Sequence, residues 1–282
     1  MDNRPQMTSA PIKPLLITNS HQPGALGDAL ASIPALSAYL PWALKANQID
    51  SLIWQCPHIK TLFPDLPAPQ YTAQEVEDLG LDLRHVARLD TQEVVRKAPQ
   101  PDLSLVQKYG KALGVDLPSD AEWPPIEGLE SQWLLAKTGG HPYTLLAPFS
   151  HSDGGTLTKV WPMWKWHKIA GMLKERGSLP VVLGLKTEPS ESFKEAGFVV
   201  LESRPLVEVA WAMKNAQATI TVDNGMGWLA QASKANHILI LSSNMPHPFS
   251  WNPRPNARNL SNCATISTEK VWAAWRDLVG LG

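Results

Sequence analysis

Residues 219–232, with the sequence TITVDNGMGWLAQA, constrain the fold more than any other stretch of this 282-residue chain. A run of β-branched residues ends at Asp223, passes through Asn224 and Gly225, and continues with helical composition, which predicts a strand, a tight turn and a helix. In an open parallel sheet, ligands bind where a strand ends and the next helix begins, because unpaired N–H groups and the helix dipole point there. The same residues also fit an ordinary turn, with Asp223 as the helix cap.

The second half of the chain alternates regularly between strand and helix patterns. Apolar runs predict strands at 143–147, 180–185, 198–201, 218–222 and 237–241, and helical spacing predicts helices at 162–176, 206–215, 225–233 and 269–278. Repeated strand–helix units of this kind favour a parallel sheet covered by helices.

The first half is less regular. Strands are predicted at 14–19 and 51–56, with a third at 83–89, and helices at 29–44 and 103–114. Pro34 and Pro41 are expected to kink or subdivide the first helix. We predict a disordered arm over 1–13, an N-terminal domain over 14–116, a proline-rich linker over 117–128 and a C-terminal domain over 129–282.

Composition excludes several classes of protein. A hydrophobic content of 44% fills two cores, and a net charge of −1 disfavours nonspecific nucleic-acid binding. Cys56 and Cys263 lack the spacing of a metal or redox motif, so we expect reduced, packed thiols and no metal site. No apolar run approaches the roughly 20 residues of a membrane span, and the polar N-terminus does not resemble a signal peptide, so we expect a cytoplasmic protein.

Several common enzyme motifs are also missing from the sequence. It contains no GxGxxG fingerprint, no GxxxxGK[ST] loop and no GxSxG elbow, which disfavours dinucleotide-dependent dehydrogenases, P-loop nucleotidases and α/β-hydrolases. A sugar-nucleotide epimerase is disfavoured as well, because Tyr143 has no lysine four residues later.

A candidate phosphate site precedes the helix predicted at 162–176. Ser150 opens a loop that contains two glycines, and Lys159 then stands two residues before Trp161 and Pro162. A cation, loop amides and the positive end of a helix can together hold a diphosphate, although an ordinary solvated lysine before a helix also fits. Within that helix, three lysines are expected to form the solvated face: Lys165, Lys168 and Lys174.

Two carboxylates are further candidates. Glu188 follows a predicted strand, where it can accept hydrogen bonds from ribose hydroxyls or simply be a surface residue. Asp28 follows Gly27 near the carboxyl end of the first strand. It can serve as a general base toward an acceptor hydroxyl, or as a helix N-cap.

The order of these motifs resembles glycosyltransferase family 9, the heptosyltransferase-like enzymes. The family's Gly-Asp, helix and proline match residues 27–36, its Lys-x-Trp-Pro matches 159–162, and its strand, glycine loop and acidic residue match 181–188. Its Asp-Thr-Gly-x-x-His-Leu element matches 223–229, with Asn224 in place of the usual Thr and Trp228 in place of the usual His. Residues 251–253 resemble the Trp-x-Pro of the family's closing loop.

The resemblance implies an α/β protein with two Rossmann-like domains facing a cleft, the GT-B architecture, with a shortened N-terminal domain. It implies an inverting, metal-independent glycosyltransferase without a resident cofactor, in which Asp28 is the general base near Gly27. The resemblance leaves the acceptor open, and we expect a glycan, a protein or a modified nucleobase. The residues implied to hold the nucleotide-sugar donor are Ser150, Lys159, Glu188, Arg204, Asp223, Asn224, Gly225 and Trp228.

The bulk of Trp228 leaves a second interpretation open. An indole has one donor, no acceptor and more volume than an imidazole. The chain can therefore also be a non-catalytic nucleotide-binding or assembly subunit that descends from the GT-B enzymes.

Overall fold

The computed structural model of the protein describes residues 13–18, 25–80, 82–97, 103–150, 159–184, 190–242 and 255–281. These residues divide into two compact units. The N-terminal unit lies within Met1–Pro99 and Val106–Leu117, and the C-terminal unit within Gln100–Leu105 and Pro118–Gly282. Residues 1–12 of the predicted disordered arm lie outside the described residues.

The N-terminal unit contains a four-stranded sheet in the order β3-β2-β1-β4, and every pair of neighbours is parallel. The strand predicted at 83–89 is shifted, because residues 83–85 form a 3₁₀ turn before β4 begins. The short edge strand β3 was not predicted, since its three residues carry no apolar run. The strands are β1 (Pro14–Thr18), β2 (Ser51–Trp54), β3 (Gln70–Thr72) and β4 (Ala87–Asp90).

The first helix, α1 (Leu26–Lys45), runs through both prolines without interruption, so the predicted subdivision is wrong. Each proline removes one backbone hydrogen bond. Ten residues of α1 are buried, and their packing offsets that loss. The other helices described in the N-terminal half are α2 (His58–Leu62), α3 (Ala73–Asp78), α4 (Thr91–Lys97) and α5 (Leu105–Ala112).

The C-terminal unit contains a six-stranded, fully parallel sheet in the order β10-β9-β8-β5-β6-β7. Five strands lie within one residue of their predicted bounds. The sixth, β10, was not predicted, because its sequence ARNL is largely polar. The strands are β5 (Tyr143–Ala147), β6 (Leu179–Gly184), β7 (Val199–Glu202), β8 (Ala218–Val222), β9 (Ile238–Leu241) and β10 (Ala257–Leu260).

A tryptophan-rich core covers one face of this sheet. Trp161 and Trp166 pack edge to face with ring centroids 5.0 Å apart, and the indole N–H of Trp275 donates to the Thr144 hydroxyl at 3.2 Å. The helices are α6 (Gln132–Thr138), α7 (Met163–Glu175), α8 (Glu191–Glu195), α9 (Leu206–Asn215), α10 (Gly225–Ala232) and α11 (Thr268–Leu278). The prediction of parallel sheets covered by helices is therefore confirmed. No helix in the described ranges is long and apolar enough to cross a membrane.

Candidate functional site

The turn between β8 and α10 is held by Asn224. Its side-chain oxygen accepts from the backbone N–H groups of Met226, at 2.9 Å, and Gly227, at 3.3 Å, so Asn224 is the N-cap of α10. Its amide nitrogen donates to the Phe149 carbonyl at 2.7 Å, which ties this turn to the loop after β5. The alternative with Asp223 as the cap is wrong, because the cap position falls one residue later.

Asp223 is therefore not engaged in capping and faces Lys159. Its carboxylate oxygen lies 3.3 Å from the Lys159 ammonium, and the two side chains are 15% and 36% exposed, respectively. Because the ammonium is more than one-third exposed, this pair adds less than about 1 kcal/mol to stability. The ion pair matters because of where it lies, not because of its contribution to stability. The structure brings together two predicted site residues, from separate motifs, beside the amino end of α10.

Two further predicted site residues lie close to this turn. Ser150 is half-buried, one residue after the Phe149 carbonyl that Asn224 contacts. Gly225 is the first residue of α10, where backbone N–H groups have no partner within the helix. Glu188 and the predicted closing loop at 251–253 lie outside the described residues.

Trp228 lies in the second turn of α10 and is 5% exposed. Its ring packs against Trp123 in a tilted arrangement with centroids 6.3 Å apart, and Trp123 is 3% exposed. The indole thus forms part of a buried aromatic pair.

The linker was predicted over 117–128, and the segment 118–128 makes further contacts with α9 and with the residues just beyond α10. Glu122 pairs with Lys234, just beyond the end of α10, at 2.9 Å. A Cβ atom on Gly128 would lie 2.9 Å from the Cβ of Trp211 on α9, so only glycine fits there without displacement. Together with Trp123, these contacts hold the segment along the two helices.

Arg204 follows β7 and stacks on Trp133, with its guanidinium carbon 4.8 Å from the ring centroid. The two residues line a cleft of about 450 Å³ together with Lys137, Lys194 and Phe198. β7 is three strand positions from β8. At about 4.8 Å per position, these two strands lie on the order of 14 Å apart across the sheet. The described contacts therefore do not place Arg204 beside the Lys159–Asp223 pair.

Asp28 and Gly27 lie in the first turn of α1 and are half-buried. The alternative with Asp28 as the N-cap is wrong, because Ala25 occupies that position without a side-chain cap. A carboxylate in the first turn still interacts favourably with the helix dipole.

Asp28 lies near a buried hydroxyl pair that the sequence did not reveal. The Tyr109 hydroxyl is 2.5 Å from the Thr91 hydroxyl. Burial raises the pKa of Tyr109 well above its ordinary value, and the charges of Asp28 and Asp90 raise it further. Asp90 ends β4 and caps α4, accepting from Gln92 N–H at 2.9 Å. Two carboxylates thus act on one phenol in the N-terminal unit.

Lys165 was expected on the solvated face of its helix, and that prediction is wrong. The side chain is 8% exposed, and its ammonium donates to the Ile266 carbonyl at 2.7 Å. The Trp161 indole N–H donates to the same carbonyl at 3.0 Å. Sequence spacing gave no sign of this contact, because Ile266 lies 101 residues away. Lys168 and Lys174 are exposed, as predicted.

The buried thiol of Cys263 lies near both Asp223 and Lys165. The pKa of Cys263 is raised to about 12, chiefly by burial and also by the charge of Asp223, while the charge of Lys165 acts to lower it. Cys263 also donates its backbone N–H to the Ser242 carbonyl at 2.8 Å. Over the described ranges, no three metal-binding side chains of His, Cys, Asp or Glu come together.

Two parallel, helix-covered sheets and a polar site at a strand-to-helix turn define a two-domain α/β protein of the GT-B class. The sequence profile of glycosyltransferase family 9 (heptosyltransferase) matches residues 83–270. The chain therefore belongs to glycosyltransferase family 9 and is a glycosyltransferase, which confirms the resemblance seen in its motifs.

Solved structures support the same fold along nearly the whole chain. A glycosyl transferase family 9 protein from Veillonella parvula has 14% identity and a TM-score of 0.68, with 97% of this chain and 99% of that one covered. E. coli ADP-heptose LPS heptosyltransferase II has 16% identity and a TM-score of 0.63, with 95% of this chain and 98% of that one covered. E. coli heptosyltransferase WaaC with ADP has 14% identity and a TM-score of 0.60, with 95% of this chain and 100% of that one covered. No curated protein sequence matches the chain.

Proposed function

We propose that this protein transfers a sugar from a nucleoside-diphosphate donor to an acceptor hydroxyl, with inversion at the anomeric carbon and without a metal ion. The observation that carries the proposal is the Lys159–Asp223 contact of 3.3 Å beside the amino end of α10. A cation beside the positive end of a helix dipole suits a diphosphate.

An ADP-linked heptose is the first donor to test. Structural neighbours include E. coli WaaC with ADP and the same enzyme with ADP-2-deoxy-2-fluoro heptose. In our proposal, Lys159 binds the diphosphate, while Ser150, the N–H of Gly225 and the positive end of the α10 dipole lie around it. Glu188 accepts from the ribose hydroxyls.

The other predicted donor residues take more limited parts in this proposal. Asn224 acts mainly by holding the turn, since its oxygen caps α10 and its nitrogen donates to Phe149. Trp228 supports α10 from its buried pair with Trp123. Arg204 contributes only if the nucleotide base extends across the sheet toward β7.

The chemical step needs one proton acceptor and stabilisation of the leaving group. The acceptor oxygen forms a bond to the anomeric carbon from the face opposite the diphosphate, and the carbon–oxygen bond to the diphosphate breaks. Its electron pair stays on the diphosphate, whose charge Lys159 and the positive end of the α10 dipole stabilise. The hydroxyl proton passes to the Asp28 carboxylate. The acceptor is a hydroxyl of a glycan, a protein or a modified nucleobase.

The test measures ADP release from ADP-heptose with and without a panel of acceptors. Asp28→Asn is expected to lower acceptor-dependent turnover by about 10²–10⁴-fold, because it removes the proton acceptor. ADP affinity should stay within about twofold of the wild-type value, because Asp28 is not assigned to the donor. Asp277→Asn, an exposed carboxylate change, is the control. Full turnover by Asp28→Asn would refute the assignment of the base.

One observation favours a second candidate, a nucleotide-binding subunit without turnover. Trp228 stands where the family usually has His, and its indole is buried against Trp123. Saturable ADP binding with no acceptor-dependent release from any sugar nucleotide would support this function. Acceptor-dependent release would exclude it.

A further inference from the structure

Lys165 is a buried cation with an unusual set of partners. It lies in the first turn of α7, and its ammonium donates to the Ile266 carbonyl at 2.7 Å. The ammonium is also 5.9 Å from the ring centroid of Trp161 and 5.7 Å from that of Trp164. A carbonyl and two aromatic faces thus surround the charge.

This position is unfavourable for an isolated lysine. The first turn of a helix favours negative charge, and burial of an ammonium requires compensation. Within the described ranges, no carboxylate lies within 4.0 Å of the Lys165 ammonium. The lysine ammonium has three N–H donors, and the Ile266 carbonyl accepts a hydrogen bond from one of them. The local contacts therefore leave much of this charge unbalanced.

Lys165 is linked to the candidate donor site in two ways. Its ammonium shares the Ile266 carbonyl with the Trp161 indole, and Trp161 lies two residues after Lys159. Asp223 and Lys165 also both act electrostatically on the buried thiol of Cys263, so both charges lie near it. Through the shared carbonyl, Lys165 is tied to the segment that runs from Lys159 into α7, and Lys159 is the direct partner of the carboxylate at the end of β8.

We propose that Lys165 is the second positive charge of the donor site and a positioning residue for Lys159. This inference rests on the proposed function. By holding Ile266 together with Trp161, Lys165 fixes the segment that carries Lys159. Its charge partly neutralises Asp223, so that an incoming nucleoside diphosphate meets a net positive site. Its contribution should therefore grow with the number of phosphates on the nucleotide.

The experiment measures ADP and AMP dissociation constants by calorimetry for the full chain and three variants. Lys165→Gln can still donate to the Ile266 carbonyl but carries no charge, and Lys165→Met removes both. Lys168→Met is the matched control, since Lys168 lies on the exposed face of the same helix and pairs with Glu269. Melting temperatures are recorded alongside, and Lys165→Gln carries the test if Lys165→Met does not fold.

Both Lys165 variants are expected to weaken ADP binding by about tenfold, from the loss of one nearby charge in a partly desolvated site. AMP binding should weaken less, so the ratio of AMP to ADP dissociation constants should fall. Lys168→Met should stay within about twofold of the wild type for both nucleotides.

Three results would overturn the inference. Wild-type ADP affinity in Lys165→Gln would refute it while leaving the proposed function intact. A lower melting temperature with an unchanged AMP-to-ADP ratio would show a purely structural role. Absence of binding to ADP and to other nucleoside diphosphates in the wild type would refute the proposed function first, and this inference with it.

Discussion

The turn that carries Asp223 should depend strongly on the Asn224 side chain. Asn224→Ala removes the cap of α10, and an N-cap side chain typically stabilises the folded protein by about 1 kcal/mol. It also removes the hydrogen bond from the amide nitrogen to the Phe149 carbonyl, another 1–1.5 kcal/mol or so for a partly buried bond. We therefore expect a loss of about 2–3 kcal/mol in the free energy of unfolding.

A second substitution separates the two contributions. Asn224→Thr keeps a side-chain oxygen that can cap α10 but has no nitrogen for the Phe149 carbonyl, so about 1 kcal/mol should be lost. Asn215→Ala is the control, because the exposed Asn215 amide bonds only within its own helix, to the Trp211 carbonyl. Its effect should stay near 0.5 kcal/mol or below.

The assay is urea unfolding followed by tryptophan fluorescence, with ADP affinity measured in parallel. If the turn organises the donor site, both Asn224 variants should weaken ADP binding, and Asn224→Ala should weaken it more. Equal destabilisation by Asn224→Thr and Asn224→Ala would show that the Phe149 contact carries the whole effect. A loss for Asn224→Ala no larger than that for Asn215→Ala would refute the reasoning.

Three further predictions concern buried groups. Trp123→Ala should destabilise the protein by about 3–5 kcal/mol in thermal unfolding, because it leaves a cavity beside Trp228; a loss under 1 kcal/mol would contradict the packing. Tyr109→Phe should cost about 1 kcal/mol in urea unfolding at pH 7, from the bond to Thr91, unlike a Tyr39→Phe control, whose hydroxyl bond to Gln48 is exposed to solvent. Burial raises the pKa of Cys56 from 9.0 to about 11, so the unfolded thiol ionises first. Stability should therefore fall by about 2–3 kcal/mol between pH 9 and 11, and Cys56→Ala should remove that part of the slope.

The C-terminal sheet was predictable because its strands are buried on both faces. β5, β6, β8 and β9 are short runs of apolar and β-branched residues, and Gly177 and Gly197 separate helix from strand at positive φ angles. β10 lies at the sheet edge, and its two central residues, an arginine and an asparagine, are exposed. Its sequence therefore lacks the apolar run by which a strand is predicted. Periodicity predicts strands and helices but does not identify site residues. The candidate site residues were predicted from the order of the family motifs along the chain.

The candidate site was predicted less completely than the fold. The pairing of Lys159 with Asp223 follows from two motifs that meet at adjacent strand ends, β5 and β8. The burial of Lys165 depends on a carbonyl far along the chain, so no local pattern encodes it. The cap was assigned to Asp223 because both residues are good caps, and only the backbone path places Asn224 at that position.

The two departures from the family motif have a common structural explanation. Asn224 has an amide nitrogen that donates to the Phe149 carbonyl while its amide oxygen caps α10, whereas threonine has a single, shorter hydroxyl in place of these two groups. Trp228 has Trp123, from the segment 118–128, as its aromatic partner. Each unusual residue thus forms a contact with another part of this chain, one to the loop after β5 and one to the segment along α10. Both side chains therefore shape the turn, and among the residues that the structure describes Lys159 and Asp223 are the charged pair beside it.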